Sequence, residues 1–177
     1  MMNGQGQPRG TVHISGRPAE ADDRAVPGHW EGGPLFGARS STVAALAGRK
    51  SRFVMLVHLP GGHTAGVVAD ALADAITSLP RQLPRSLTWD QGKQVAGHAR
   101  FSVATGVPVY FCDPHSPWQR GSNENTNGLL RQYFPRSTDF RALTQRDLDA
   151  VAAELNDRPR QTLGWKSPCQ ALDEALQ

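Results

Sequence analysis

The chain opens with a polar, glycine-containing region and becomes periodic only near residue 28. Residues 1–27 show neither sustained alternation nor a helical period of 3.6, which is typical of chain that does not pack. We therefore expect a flexible tail over residues 1–27 and one folded domain over residues 28–177.

Three apolar segments follow in quick succession, at 29–36, 42–46 and 52–59. The third segment, Arg-Phe-Val-Met-Leu-Val-His-Leu, favours a strand and is bounded by polar residues before it and Pro-Gly-Gly after it. Short spacers between strands are typical of antiparallel neighbours. The pattern predicts an antiparallel meander of three strands.

Helical and strand patterns then alternate. Apolar residues recur at helical spacing after Thr64, and Pro80 ends that helix. A short buried strand is predicted at 86–89, a helix at 93–105, a strand at 107–112 and a helix at 122–134.

Two further helices complete the chain. Thr144 and Asp147 have the spacing of a capping box, and Ser167-Pro168 begins a short final helix. The order β-β-β-α-β-α-β-α-α indicates an α/β fold with a mixed five-stranded sheet flanked by helices.

Composition adds weak constraints. The 177 residues fit one domain with a sizeable core, and the net charge of +3 is compatible with nucleic acid without establishing it. Two cysteines form no disulfide framework and suggest a reducing compartment. Cys112 and His115 have a chelating spacing, but a buried thiol is the better interpretation because no second pair follows. No apolar run approaches the ~18 residues of a membrane helix, so we expect a cytoplasmic protein.

Candidate chemistry concentrates in two polar stretches. The stretch from Asp113 to Arg131 reads Asp-Pro-His-Ser-Pro-Trp-Gln-Arg-Gly-Ser-Asn-Glu-Asn-Thr-Asn-Gly-Leu-Leu-Arg and places Glu124 in the first turn of a predicted helix. Upstream, Thr-Trp-Asp-Gln-Gly-Lys places Asp90 at the end of a predicted strand. Asp90 has a structural alternative as a turn residue, and Glu124 has one as a carboxylate favoured by the helix dipole.

These two stretches together resemble the catalytic core of DDE transposases, specifically the insertion-sequence-thirty family of the retroviral integrase (RNase-H-like) superfamily. The resemblance extends from about Asp23 to Leu176. It implies an RNase-H-like layout with the first strand in the centre. In that family a DNA-binding helix-turn-helix portion precedes the core, so we expect this chain to be a fragment or to have lost that portion.

The resemblance also implies DNA strand cleavage and transfer. These are in-line displacements at phosphorus, in which two Mg²⁺ (or Mn²⁺) ions stabilise the attacking and leaving oxygens. Mg²⁺ prefers carboxylate ligands, and ligands gather at the carboxyl ends of strands in open α/β sheets. Asp90 and Glu124 are therefore expected to be both catalytic residues and metal ligands.

A third carboxylate is implied in the first strand, after His-Trp-Glu-Gly, but Gly33 occupies that position. Pro34 follows, and proline is normally excluded from a central strand. Glu31 would share a face with position 33 but lies ~6.6 Å away, which one extra methylene does not span. We expect weak metal binding and little strand transfer. The alternative is a non-catalytic remnant that binds DNA or an intact transposase, and a nuclease on the same scaffold is a weaker one.

Several side chains are expected to contact DNA, either transposon ends or target. Arginines suit phosphates, amides suit phosphates or base edges, and an aromatic ring stacks on an unpaired base. The candidates are Arg120, Arg131, Asn123, Asn127, Trp118 and Lys93. Trp118 has an equal alternative as a packing aromatic, and Lys93 as a solvated lysine.

The turn 49–52 is expected to be exposed and to add a salt-sensitive attraction to DNA. A homo-oligomer is expected because transposase cores usually act as multimers.

Overall fold

The computed structural model of the chain describes residues 12–13, 17, 26–59, 64–89, 97–112 and 121–177. For residues 12–13, 65 and 121–124 it describes the backbone alone. Asp90, Lys93, Trp118 and Arg120 therefore lie outside the described residues.

Strands from both halves of the chain form one mixed sheet. They are β1 (Val12–His13), β2 (His29–Phe36), β3 (Thr42–Gly48), β4 (Val54–His58), β5 (Ser86–Trp89) and β6 (Val109–Phe111). The spatial order of the described strands is β1-β6-β5-β2-β3-β4. The β2–β3–β4 meander is antiparallel, whereas β5, β6 and β1 run parallel to β2. The predicted mixed five-stranded sheet, with the first strand of the meander in its centre, is confirmed in β2 to β6.

Helices cover both faces of this sheet. They are α1 (Ala65–Thr77), α2 (His98–Thr105), α3 (Gly121–Tyr133), α4 (Gln145–Asn156) and α5 (Pro168–Ala175). Apolar residues of α1 and α2 share a core with Trp30, whereas those of α3 and α4 share a second core with Leu35. Because neighbouring strand residues point to opposite faces, β2 is buried from both sides. None of the helices in the described part of the chain is long and apolar enough to cross a membrane.

Helix starts follow the local signals to different degrees. Thr144 and Ser167 both form complete capping boxes, with Asp147 and Gln170 as their partners. Thr64 stands at the start of α1, but its side chain makes no capping hydrogen bond. The predicted helix at 93–105 is described from His98 to Thr105.

The first 27 residues are not wholly a free tail. Val12–His13 pairs in parallel with Tyr110 and Phe111 of β6. Arg17 is buried and donates a hydrogen bond from Nη1 to Thr88 Oγ1 at 3.2 Å. The expectation of a flexible tail is therefore wrong for these residues. The sequence showed no period here because a two-residue strand is too short to display one.

Pro34 is accommodated in the central strand without losing a hydrogen bond to β3. Gly37 N donates to Ser41 O, and Arg49 N donates to His29 O, which makes the odd-numbered residues of β2 the hydrogen-bonded ones toward β3. Pro34 opposes Ala44 at a non-bonded position, so its nitrogen faces the β5 side. Among the described residues, β2 pairs with β5 as far as Gly32. Pro34 thus stands within one continuous strand that pairs with β3 from Trp30 to Phe36.

The free edge of β4 is covered by two amide side chains of α4. Asn156 accepts from Val54 N at 2.8 Å and donates to Val54 O at 2.9 Å. Gln145 accepts from His58 N and donates to Leu56 O, each at 2.7 Å. Both side chains thus take the place of a further strand along an edge that would otherwise offer unpaired backbone groups.

These two amides differ in burial, which predicts a difference in their contribution to stability. Asn156→Ala leaves a buried N–H and a buried C=O of Val54 without partners and should lower the free energy of unfolding by about 2–3 kcal/mol. Gln145→Ala removes the same kinds of bond at an exposed residue, where water replaces them, and should cost less than about 1 kcal/mol. Urea unfolding monitored by circular dichroism compares the variants, and equal losses would refute the assignment.

Candidate active site

Position 33 lies in the middle of the buried sheet and faces the layer that contains α3. Gly33 pairs with Ala45 and alternates in phase with Leu35, and both neighbours belong to the core that includes Leu130 of α3. A side chain at this position would therefore point toward the helix that carries Glu124. It lies one residue beyond Gly32, which pairs with Trp89, the last described residue of β5.

The adjacent glycine has a different, structural role. A Cβ placed at Gly32 would lie 2.6 Å from the ring of Trp89 and 2.6 Å from Leu46 Cδ2. Trp89 is fully buried and ends β5, so this close approach of ring and backbone locks β5 against β2. Asp90 is the next residue in the sequence after Trp89.

The helix α3 runs along β2 in the same direction as the strand. Its C-terminal part reaches the end of β2, where Arg131 donates from Nη2 to Phe36 O at 2.9 Å. Its N-terminal part lies beside the β3–β4 turn, because Asn125 and Thr126 line a cavity together with Arg52. The backbone of Glu124 therefore lies in the part of the helix beside the β3–β4 turn, whereas Arg131 is at the Phe36 end.

Three of the predicted site residues share one stripe of α3. Residues 124, 127 and 131 are three and four positions apart and follow one side of the helix. Glu124 is ~10 Å from Arg131 along the helix axis, and Gly33 is ~10 Å from Phe36 along β2. Since the two elements run in the same direction and Arg131 contacts Phe36, the stripe brings the Glu124 backbone back toward position 33. The side chains of Glu124 and Asn123 are not among those described.

Arg131 is held by backbone carbonyls. It donates from Nη2 to Phe36 O and from Nη1 to Phe134 O at 3.4 Å. Partial burial lowers its pKa, and the nearby charge of Arg136 lowers it further. Asn127 presents a buried Oδ1 with no hydrogen-bond partner among the described residues. An acceptor in this state can receive a donor from a ligand.

A buried ion pair was missed from the sequence. Glu31 has no exposed side-chain surface, and Arg49, which is 5% exposed, approaches it with Nη1 at 2.9 Å from Oε1. The expected exposure of the 49–52 turn is therefore wrong for Arg49. The hairpin register explains the burial, because Arg49 stands opposite His29 and its side chain turns back over the sheet. A buried acid requires a cationic partner, so the presence of Glu31 in an otherwise apolar strand was the signal in the sequence for this ion pair.

This ion pair removes Glu31 as a substitute for the third acid. Its carboxylate is engaged by Arg49, and moving it to position 33 would break this buried ion pair. No group of three acidic, His or Cys side chains within the described residues is arranged to hold a metal. Asp90 and the Glu124 side chain are not among those residues.

Comparison with known proteins decides the family. The family model described as integrase core domain matches residues 23–117, which is more than half of the chain. The chain belongs to the integrase core domain family. The match includes position 33 and Asp90, and it ends before α3.

Relatives extend the likeness of this integrase core domain to transposases. The transposase of insertion sequence element IS1086 from Cupriavidus metallidurans is 51% identical over 173 residues, covering 97% of this chain and 51% of that protein. Transposase InsI of insertion sequence element IS30A from Escherichia coli is 49% identical over 174 residues, covering 95% and 45%. The resemblance to the insertion-sequence-thirty family is confirmed. The chain spans about half the length of these relatives.

The fold matches that of a solved assembly. A chain in the structure of the simian T-cell lymphotropic virus intasome in complex with PP2A regulatory subunit B56 gamma superposes with a TM-score of 0.63. The identity is 21%, and the match covers 96% of this chain and 60% of that one. This confirms the RNase-H-like architecture of the integrase core.

The Glu31–Arg49 pair predicts a specific pattern of stabilities. Arg49→Met removes the cationic partner of a buried carboxylate and should lower the free energy of unfolding by about 3–5 kcal/mol. The double variant Glu31→Met with Arg49→Met removes both charges and should recover most of that loss. Urea titrations of the three proteins measure both effects. If the double variant were as unstable as Arg49→Met alone, the ion pair would not be the reason for the loss.

Proposed function

We propose that this chain is the catalytic core of a DDE transposase whose strand-cleavage and strand-transfer activity is impaired by Gly33. Asp90 and Glu124 are its two remaining catalytic carboxylates. The observation that supports the proposal most directly is the position of residue 33. It is buried in the central strand, faces the α3 layer and stands next to the end of β5, yet it has no side chain.

The available donors fit a divalent metal in part. Asp90 and Glu124 are hard oxygen ligands of the kind Mg²⁺ or Mn²⁺ takes, and metal held there would stabilise the attacking and leaving oxygens of a phosphodiester. Gly33 contributes no ligand, and Glu31 is retained by Arg49. Two carboxylates in place of three imply weak metal affinity.

The remaining site residues act on DNA in this proposal. Arg131, fixed by the Phe36 carbonyl, directs positive charge along the Glu124 stripe of α3. Amide and cationic groups position the phosphodiester backbone and bases. The set proposed for this role is Arg120, Arg131, Asn123, Asn127, Trp118 and Lys93. The DNA partners are transposon ends and target, as the names of the relatives suggest, and the active form is a homo-oligomer or an assembly with an intact transposase.

A second candidate function is a non-catalytic remnant that binds DNA or an intact transposase. The specific observation that favours it is the combination of Gly33 with the Glu31–Arg49 pair. Together they leave the first strand without an acid free to bind metal, while the sheet and both helical layers remain intact. Such a protein keeps its fold and its DNA contacts without performing the reaction.

Restoring the acid distinguishes the two. Gly33→Asp should raise Mn²⁺ affinity at least tenfold in isothermal titration calorimetry and increase the joining of DNA ends. The matched control, Gly33→Asn, has the same shape without the charge and should do neither. Without metal, Gly33→Asp should unfold at a lower temperature because its carboxylate is buried, and added Mn²⁺ should reverse this loss.

Two results would contradict the proposal. One is that the unaltered chain joins DNA ends as fast as Gly33→Asp. The other is that Gly33→Asp binds Mn²⁺ no better than Gly33→Asn. Adding Pro34→Leu to Gly33→Asp should leave both readouts unchanged, since the nitrogen of Pro34 faces away from the β3 ladder.

A further inference from the structure

A cationic cavity lies on the side of α3 that faces away from the Glu124 stripe. Its volume is about 260 Å³, and the described residues that line it are Arg52, Asn125, Thr126, Leu129, Arg160 and Thr162. Two arginines, two threonines and an asparagine therefore line one space. None of these lining residues is a carboxylate, so the cavity has the chemistry of an anion site.

The guanidinium group of Arg160 has donors without an acceptor among the described residues. Its Nε and Nη2 atoms are buried and have no hydrogen-bond partner among the described residues. Burial lowers its pKa, with a further lowering by the charge of Arg158. Arg158 itself is satisfied, because it donates to Tyr133 Oη at 2.6 Å and stacks on that ring. Buried guanidinium donors without an acceptor are costly, and a bound anion would remove that cost.

The backbone on both sides of the cavity holds the two arginines in place. Arg160 N donates to Lys166 O, while Arg160 O accepts from Trp165 N and Leu163 N, so its loop closes on itself. Arg52 has a positive φ of 63°, a conformation that favours glycine, within the turn where its N donates to Gly48 O. A strained arginine at the rim of an anion-type cavity is the kind of outlier that accompanies a binding function.

We propose that the Arg52–Arg160 cavity binds a phosphate of the DNA backbone, at a distance from the phosphodiester that reacts. This inference rests on the proposed function. Asn125 lines the cavity and directly follows Glu124 in α3, so the cavity and the reaction centre are neighbours on opposite flanks of one helix. DNA carries a phosphate about every 3.4 Å along each strand, and a duplex at Glu124 therefore brings further phosphates within reach.

DNA binding by the whole chain tests the proposal without any need for catalysis. Fluorescence anisotropy with a labelled 20-base-pair duplex in EDTA, at several NaCl concentrations, gives affinity and its salt dependence. Arg160→Gln should weaken binding roughly tenfold and reduce the slope of log K against log salt by about one. The control Arg81→Gln removes an equal charge from the exposed loop after α1 and should have a much smaller effect. Since EDTA prevents cleavage, an inactive core would still give this result.

Inorganic phosphate gives a second, DNA-free readout. At matched ionic strength, phosphate should raise the unfolding temperature of the unaltered chain and of Arg81→Gln by more than that of Arg160→Gln. Thr162→Glu places a carboxylate at an exposed lining residue while retaining Arg160. This variant should fold normally and lose both responses, whereas Thr162→Gln should keep them.

Three outcomes would overturn the inference. Loss of the phosphate response with unchanged DNA binding would make the cavity a site for a free anion. Unchanged behaviour of Arg160→Gln and Thr162→Glu in both assays would mean that no anion binds there. A lower unfolding temperature of Arg160→Gln in the absence of phosphate, with DNA affinity unaltered, would assign Arg160 to the fold.

Discussion

The burial of β2 between two helical layers is the constraint on which the rest of the structure depends. One face of the strand packs beneath α1 and α2, and the other beneath α3 and α4. A charged side chain on this strand must therefore find a partner inside the protein. Glu31 does so with Arg49, which the β3–β4 turn returns over the sheet. In the function we propose, an acid at position 33 would meet the same constraint with a metal as its partner.

At position 33 the requirements of the fold are independent of those of the proposed chemistry. The ladder between β2 and β3 consists of backbone hydrogen bonds, which Gly33 provides as well as any other residue. Pro34 fits beside it because its nitrogen faces the β5 side and takes no part in the β3 ladder. A core that lacks the first acid therefore keeps the sheet, both apolar cores and the direction of α3. This explains how the integrase core domain is fully recognisable in a chain that has a glycine where the resemblance implies an acid.

The helix α3 connects the two regions to which we assign function. Its buried side, with Leu130, anchors it on the sheet, and its two flanks remain available for polar groups. One flank carries the stripe of Glu124, Asn127 and Arg131, and the other lines the cavity of Arg160. A single rigid element thus sets the spacing between the proposed reaction centre and the proposed phosphate contact. For a reaction that depends on positioning, such rigidity is an advantage.

Local signals in the sequence determined the elements, and tertiary contacts determined the roles of individual polar side chains. The strand at 86–89 and the capping box at Thr144 are encoded by neighbouring residues, through hydrophobic period and short-range hydrogen bonds, so both were predictable. The resemblance in the two acidic stretches could likewise be recognised, because it resides in contiguous residues.

By contrast, tertiary pairing between distant segments decides the burial of Arg49, the harmless position of Pro34 and the strand at Val12–His13. The same holds for Arg160, whose missing partner becomes evident only when α3, the β3–β4 turn and the C-terminal loop meet. Burial and pairing are properties of what surrounds a residue in space, and the linear pattern carries no record of which segments will meet.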